Sequence, residues 1–151
     1  KTAAALKLLG DALKGWVAAV LARELAPQFG LADSIVLLCA LAVFIGHLFP
    51  VFFRFQGGKG VATALGVLVG LNPWLGLACL ATWLAMTLVF RISSLSALVT
   101  AILAPLYAGL LMGWNNSAIT VLVIALLLVY RHKSNLIKLA NGEEGRIGKR
   151  T

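Results

Sequence analysis

The stretch FRFQGGKGVAT, residues 53–63, turns the chain back between two charge-free runs. The twenty positions from Ser34 to Phe53 carry no Asp, Glu, Lys or Arg, and neither do the 31 positions from Gly60 to Phe90. A helix needs about 20 apolar residues to cross roughly 30 Å of hydrocarbon, so the glycine-rich stretch reads as the hairpin between membrane segments. Composition agrees: 61% of the 151 residues are hydrophobic and 12% are charged, which excludes an ordinary soluble globular domain. The expectation is an all-α, polytopic membrane helix bundle. No linker or low-complexity stretch divides it, so residues 1–151 are read as one domain.

Working outward, Asn72-Pro73 breaks the second run and reads as a turn at the far side. The piece it leaves, Gly60 to Leu71, reaches only about 18 Å at the helical rise, so it must begin in the glycine loop, lie beneath a thinned surface or be shielded by neighbouring helices. The 39 uncharged residues from Ile92 to Tyr130 split at Gly113-Trp114-Asn115-Asn116-Ser117. Upstream, Ala12 to Leu25, introduced by Gly10-Asp11 and closed by Arg23-Glu24, supplies the first segment. Six membrane segments are expected. Lys1, Lys7, Lys14, Arg54, Lys59, Arg91, Arg131, Lys133, Lys138, Arg146, Lys149 and Arg150 then fall at ends of one parity, with Arg23 alone opposite. That bias marks the basic side as cytoplasmic and accounts for most of these cations as topology signals facing anionic lipid. Cys39 and Cys79 lie within apolar runs and read as small hydrophobes.

Lys59 asks for more. In Gly57-Gly58-Lys59-Gly60 the glycines leave backbone N–H groups uncovered and permit positive φ, so a concave nest can aim several donors at one anion, with the lysine charge and a helix N-terminus behind it. A Walker A loop is excluded, because Phe53 and Gly60 stand where that pattern requires Gly and Ser or Thr. A second polar cluster, RHKSNLIKLANGEEGRIGKR at residues 131–150, sets His132 and Asn135 three apart, on one face if the helix continues, with Asn141-Gly142 as its stop. An imidazole accepts a hydroxyl proton near neutral pH, and a carboxamide donates to an oxyanion. A third cluster places Ser93 and Ser94 after Arg91, as helix caps or as hydroxyl donors.

GHLFPVFFRFQGGKGVAT (Gly46–Thr63) and the 131–150 segment resemble the second and third signature motifs of the bacterial acyl-phosphate:glycerol-3-phosphate acyltransferases of the PlsY type. LLGDALKG (Leu8–Gly15) and the serine turn extend the resemblance over essentially the whole chain. It implies transfer of a fatty acyl group from acyl phosphate to the sn-1 hydroxyl of glycerol 3-phosphate, giving lysophosphatidic acid and phosphate without a metal, cofactor or coenzyme A thioester. It also implies a Ser-Gly-Asn-type first motif and a further helix ahead of Lys1. The chain is therefore expected to be an N-terminally truncated acyltransferase domain whose full-length form has seven helices.

With the resemblance in hand, Gly57, Gly58, Lys59 and Gly60 are the expected phosphate cradle, joined by Ser93 or Ser94 and by Lys7. Asn135 is the expected polariser of the acyl carbonyl, and His132 the base or orienter of the attacking hydroxyl. The substrate phosphate is the other possible proton acceptor. His47 is read as a brace for the loop, and Glu143 and Glu144 as tail supports paired with Arg131, Lys138 or Arg146. Expected partners are acyl phosphate, glycerol 3-phosphate and membrane lipids, with no nucleic acid, for a monomer in the bacterial inner membrane whose site faces the cytoplasm. A His-x4-Asp acyltransferase is excluded by Phe52 and Ile137 at the required positions. A CDP-alcohol phosphotransferase is excluded because Asp11 and Asp33 are the only aspartates. The alternative from another class is a small transporter of anions or phosphate compounds, which would need polar residues at mid-membrane where these spans are apolar.

Overall fold

The computed structural model describes residues 2–148; Lys1, Lys149 and Arg150, counted above on the basic side, lie outside them. The described residues form seven helices: α1 (Thr2–Leu25), α2 (Asp33–Leu48), α3 (Val61–Leu71), α4 (Pro73–Phe90), α5 (Ser93–Met112), α6 (Asn116–Arg131) and α7 (Lys133–Ala140). Among these residues there is no strand. Short 3-10 turns occupy Ala26–Phe29 and Val51–Phe53.

The turns at the far end form where the sequence places them, and each has a local cause. Asn72 Oδ1 accepts from the amides of Trp74 (2.9 Å) and Leu75 (3.2 Å), with Pro73 at the first helical position, so α4 starts capped. Asn115 Oδ1 accepts from the Ser117 amide (2.9 Å) and does the same for α6. One expected boundary moves. The first helix begins at Thr2, not Ala12, because Asp11 is no starting cap: its carboxylate binds Lys14 one turn on, at 2.6 Å, and lies 3.5 Å from His47 of α2. The second span does reach Phe53, but its regular α-helix stops at Leu48. Pro50 lacks an N–H to continue it, and the chain passes through Arg54 and Phe55 at φ of 52° and 61°.

Asp33–Phe53, Pro73–Phe90 and Ser93–Met112 are long and apolar enough to cross a membrane, and α6 with α7, bent by 61°, makes a fourth such segment if taken together. Length and composition thus give three or four crossings where six are expected. The shortfall lies in α1, which carries Lys7, Asp11, Lys14 and Arg23, and in α3, which has 11 residues.

The short α3 is shielded by its neighbours. A Cβ on Gly66 would collide with the Ala12 carbonyl, one on Gly15 with the Thr63 carbonyl, and one on Gly70 would lie 2.6 Å from Ala19 Cβ. Small residues on both helices therefore let the α1 and α3 backbones approach closely, the usual packing where lipid supplies no hydrophobic driving force. Arg23 Nη1 donates to Gly70 O (3.1 Å) near the C-terminal end of α3. On its other sides, Phe44 and Leu48 of α2, Val67 of α3, and Ile124 and Leu128 of α6 form one buried cluster. Phe44 and Leu48 reach the start of α3, where a Cβ on Gly60 would meet them at 2.6 and 2.8 Å.

Candidate active site

The start of α3, the start of α5, the α6–α7 joint and the following tail meet at the basic end. Gly60 caps α3 at φ +82°, with no side-chain hydrogen bond to the first turn. It alone of the four loop positions 57–60 uses a positive φ. Gly57 and Gly58 are required for another reason, close approach. A Cβ on Gly57 would collide with the carbonyls of His47 and Leu48, and one on Gly58 would lie 2.6 Å from His47 Nε2. Arg131 holds the loop from another element, Nη2 donating to Gly57 O (2.6 Å) and Nε to Gly58 O (3.3 Å), with the guanidinium carbon 5.3 Å from the centroid of the Phe49 ring. Among the described residues, the amides of Gly57, Gly58, Lys59 and Gly60 have no backbone acceptor.

His47 stands behind this loop. Lys14 Nζ is 2.6 Å from His47 Nδ1 and 2.6 Å from Asp11 Oδ1. An ammonium can only donate, so Nδ1 is the acceptor and the imidazole proton sits on Nε2, beside Gly58. Lys7 is exposed on α1, where its charge reaches His47.

His132 is the first residue past α6 and is 1% exposed. Its Nδ1 lies 2.8 Å from Leu128 O, a group that can only accept, so Nδ1 carries the proton and Nε2 is left with the lone pair. Burial holds its pKa below the usual 6.5 and the Lys59 charge adds to that, while the Leu128 carbonyl and Glu144 act in the opposite direction. The bend at His132 ends the regular helix, yet Asn135 is also buried. Asn135 Nδ2 donates to Glu144 Oε1 at 2.6 Å. The same carboxylate oxygen accepts from Ser94 Oγ at 2.5 Å. The Ser94 bond keeps Glu144 below its usual 4.5; burial opposes it, and the Asn135 bond and the charges of Lys59 and Lys138 add smaller lowering effects. The Ile147 amide donates to Arg91 O (2.7 Å), tying the tail across the α4–α5 turn with Glu144 inside.

Three expectations are corrected by this geometry. Glu144 does not pair with Arg131, Lys138 or Arg146; it joins Ser94 to Asn135, and Arg131 is engaged by the glycine loop. Among the described residues Glu143 makes no ion pair. Ser94 is no helix cap, since α5 begins after Ile92 without a side-chain bond, and its hydroxyl hydrogen is turned to Glu144 and not toward a ligand. Ser93 is exposed and borders an apolar cavity of about 630 Å³ between α1, α3, α4, α5 and α6, which runs from Val61 and Ser93 down to Leu68, Ala104 and Val121. Among the described residues no three His, Cys, Asp or Glu side chains are gathered to hold a metal ion. Sequence reasoning missed Arg131 as a loop ligand and Glu144 as part of the polar cluster, because their partners lie 74 and 50 positions away.

The bundle is apolar, and of its buried polar side chains Thr63, Ser94, Ser96, His132 and Asn135 lie toward the basic end next to an apolar cavity, with Thr120 at the far end, an arrangement that suits an integral membrane protein acting at its basic face. The family model described as glycerol-3-phosphate acyltransferase matches residues 1–142. A protein of that name from Thiobacillus denitrificans is 82% identical over all 151 residues and 76% of its own length. Another from Chromobacterium violaceum is 58% identical over 98% of this chain and 72% of its own. The crystal structure of PlsY (YgiH), an integral membrane glycerol 3-phosphate acyltransferase, is similar in its glycerol 3-phosphate form with TM-score 0.90 and 36% identity, over 98% of this chain and 72% of that one. Its lysophosphatidic acid form is similar with TM-score 0.88. The chain belongs to the glycerol-3-phosphate acyltransferase family.

Proposed function

We propose that the chain moves a fatty acyl group from acyl phosphate to the sn-1 hydroxyl of glycerol 3-phosphate, releasing phosphate. One observation carries the reading: open amides at the start of α3 and a buried imidazole with a free Nε2 lone pair meet at the same end of an apolar bundle, within reach of the Lys59 charge. The amides, the α3 dipole and Lys59 hold the acceptor phosphate. The hydroxyl oxygen attacks the acyl carbon, its proton passes to His132 Nε2, and the bond from acyl carbon to phosphate oxygen breaks with the electron pair leaving on phosphate. Asn135 uses its remaining N–H to donate to the oxyanion, its amide oriented by Glu144. The acyl chain occupies the 630 Å³ cavity. Acyl phosphate is already activated, so positioning and electrostatic stabilisation supply most of the catalysis.

In this reading α1 to α6 all cross the bacterial inner membrane, α1 and α3 by virtue of their mutual packing, with the basic end in the cytoplasm and the chain acting as a monomeric acyltransferase domain. A transporter of phosphate compounds is disfavoured because the cavity away from the basic end is lined almost entirely by apolar side chains, with Thr100 the exception. The test is phosphate release by the purified full-length protein. Release that requires both acyl phosphate and glycerol 3-phosphate is expected; none above the rate without protein would overturn the reading.

A further inference from the structure

The loop that offers its amides at the start of α3 is oriented by a residue whose charge first reads as a topology signal. Arg131 takes the carbonyl oxygens of both Gly57 and Gly58, at 2.6 and 3.3 Å, across 74 and 73 positions of sequence. A trans peptide is planar, with its C=O and the next N–H on opposite sides, and no peptide among the described residues is cis. Turning the Gly57 and Gly58 carbonyls toward Arg131 therefore turns the Gly58 and Lys59 amides away from it. Those two amides have no backbone acceptor.

Two glycines in succession would otherwise let these peptide planes rotate freely, since nothing on Cβ restrains them. The other contacts limit where the loop lies: Gly57 backs onto the His47 and Leu48 carbonyls, and Gly58 onto the His47 ring. They do not choose which way each carbonyl faces. Arg131 does so with two separate donors, and is itself steadied over the Phe49 ring at 5.3 Å. A lysine at this place keeps the charge but cannot reproduce the planar fork that reaches two carbonyls at once.

We infer that Arg131 is a positioning residue for the acceptor: it presents the Gly58 and Lys59 amides to the phosphate of glycerol 3-phosphate without touching that phosphate. The inference rests on the acyl-transfer reading for the identity of the ligand. It differs from a role in topology, because lysine would serve topology equally well, and from direct phosphate binding, because the Nε–Nη2 edge of the guanidinium faces the Gly58 and Gly57 carbonyls, on the side opposite to the amides that it turns outward.

The experiment compares wild type, Arg131→Lys, Arg131→Gln and Arg131→Ala in the full-length protein in detergent, with Lys133→Ala as a control for loss of a neighbouring charge. Glycerol 3-phosphate affinity is measured by calorimetry and KM by phosphate release. All three Arg131 variants should weaken affinity and raise KM for glycerol 3-phosphate by roughly 10- to 100-fold, with KM for acyl phosphate and kcat changing much less. Methylguanidinium should restore part of the affinity of Arg131→Ala, and Lys133→Ala should behave as wild type. Wild-type affinity in Arg131→Lys, or a joint loss of kcat and of both KM values with a lowered melting temperature and no rescue, would overturn the inference. If wild type binds glycerol 3-phosphate but releases no phosphate, the activity reading fails while the calorimetric series still decides the role of Arg131.

Discussion

Two pairs of helix starts in this bundle are built in opposite ways. At the far end, α4 and α6 begin under Asn72 and Asn115, whose side chains take up the free amides of the first turn. At the basic end, α3 and α5 begin without a side-chain cap, and α3 leaves its preceding loop amides open as well. An uncapped start inside a mostly apolar bundle costs stability, of order 1 kcal/mol relative to a good cap. The Asn72 and Asn115 turns therefore serve the fold; α2 begins at the same end after Ala32 without a side-chain cap, so what sets the basic end apart is the run of open amides before α3, which keeps donors available for an anion. The buried His132 imidazole, the Asn135 carboxamide and the Glu144 carboxylate that accepts from it also lie at the basic end.

Breaking the basic end should have the largest kinetic effects. If Asn135 donates to the developing oxyanion as proposed, Asn135→Ala should lower kcat by roughly 10² to 10³, with little change in KM. His132→Ala should lower kcat by about 10² to 10⁴ if its Nε2 takes the proton. Far-end cap variants, which should leave kcat unchanged, are the comparison that makes these values meaningful.

A pH series sharpens the assignment. The His132 pKa lies below 6.5 in the folded protein, so the imidazole is neutral at pH 7 and turnover should fall only as acid protonates it, on a limb below about pH 6.5. The unfolded chain, with the higher pKa, binds the proton first, so His132 also withdraws stability as pH falls through that range. Glu144 is depressed too; its contribution is present above 4.5 and is lost as pH falls through its lower folded value, so the two effects separate. His132→Gln should abolish the upper acid limb. Retention of that limb would assign the proton to the substrate phosphate.

The smallest effect belongs to the far end. Asn72→Ala should cost about 1 kcal/mol of stability and leave KM and kcat unchanged, as read by thermal unfolding and by phosphate release. A change in glycerol 3-phosphate KM for that variant would dissolve the contrast between the two ends.

The far-end turns and the tail stop were legible because their causes are local: Asn72-Pro73, Asn115 and Asn141-Gly142 each act within a few residues. The helical class followed from composition. The start of α1 was not legible, since Asp11 looks like a helix cap until His47, 36 positions on, is seen beside it. Gly57 and Gly58 could be singled out as glycines, but the reason they must be glycine, contact with α2 carbonyls and the His47 ring, is set by packing. Glu144 looked like one more tail charge because Ser94, its partner, arrives from a different helix. Motif resemblance carried the site further than periodicity could, and tertiary contacts across 50 to 74 positions supplied what neither could give.

The central claim is that the open start of α3 binds the acceptor phosphate, and Lys59→Ala in the full-length protein tests it most directly. Glycerol 3-phosphate saturation should shift to KM at least about tenfold higher, because a charge-assisted contact to phosphate is lost while the acyl-transfer groups remain in place. A saturation curve that superimposes on wild type would contradict the claim and make this loop a structural turn.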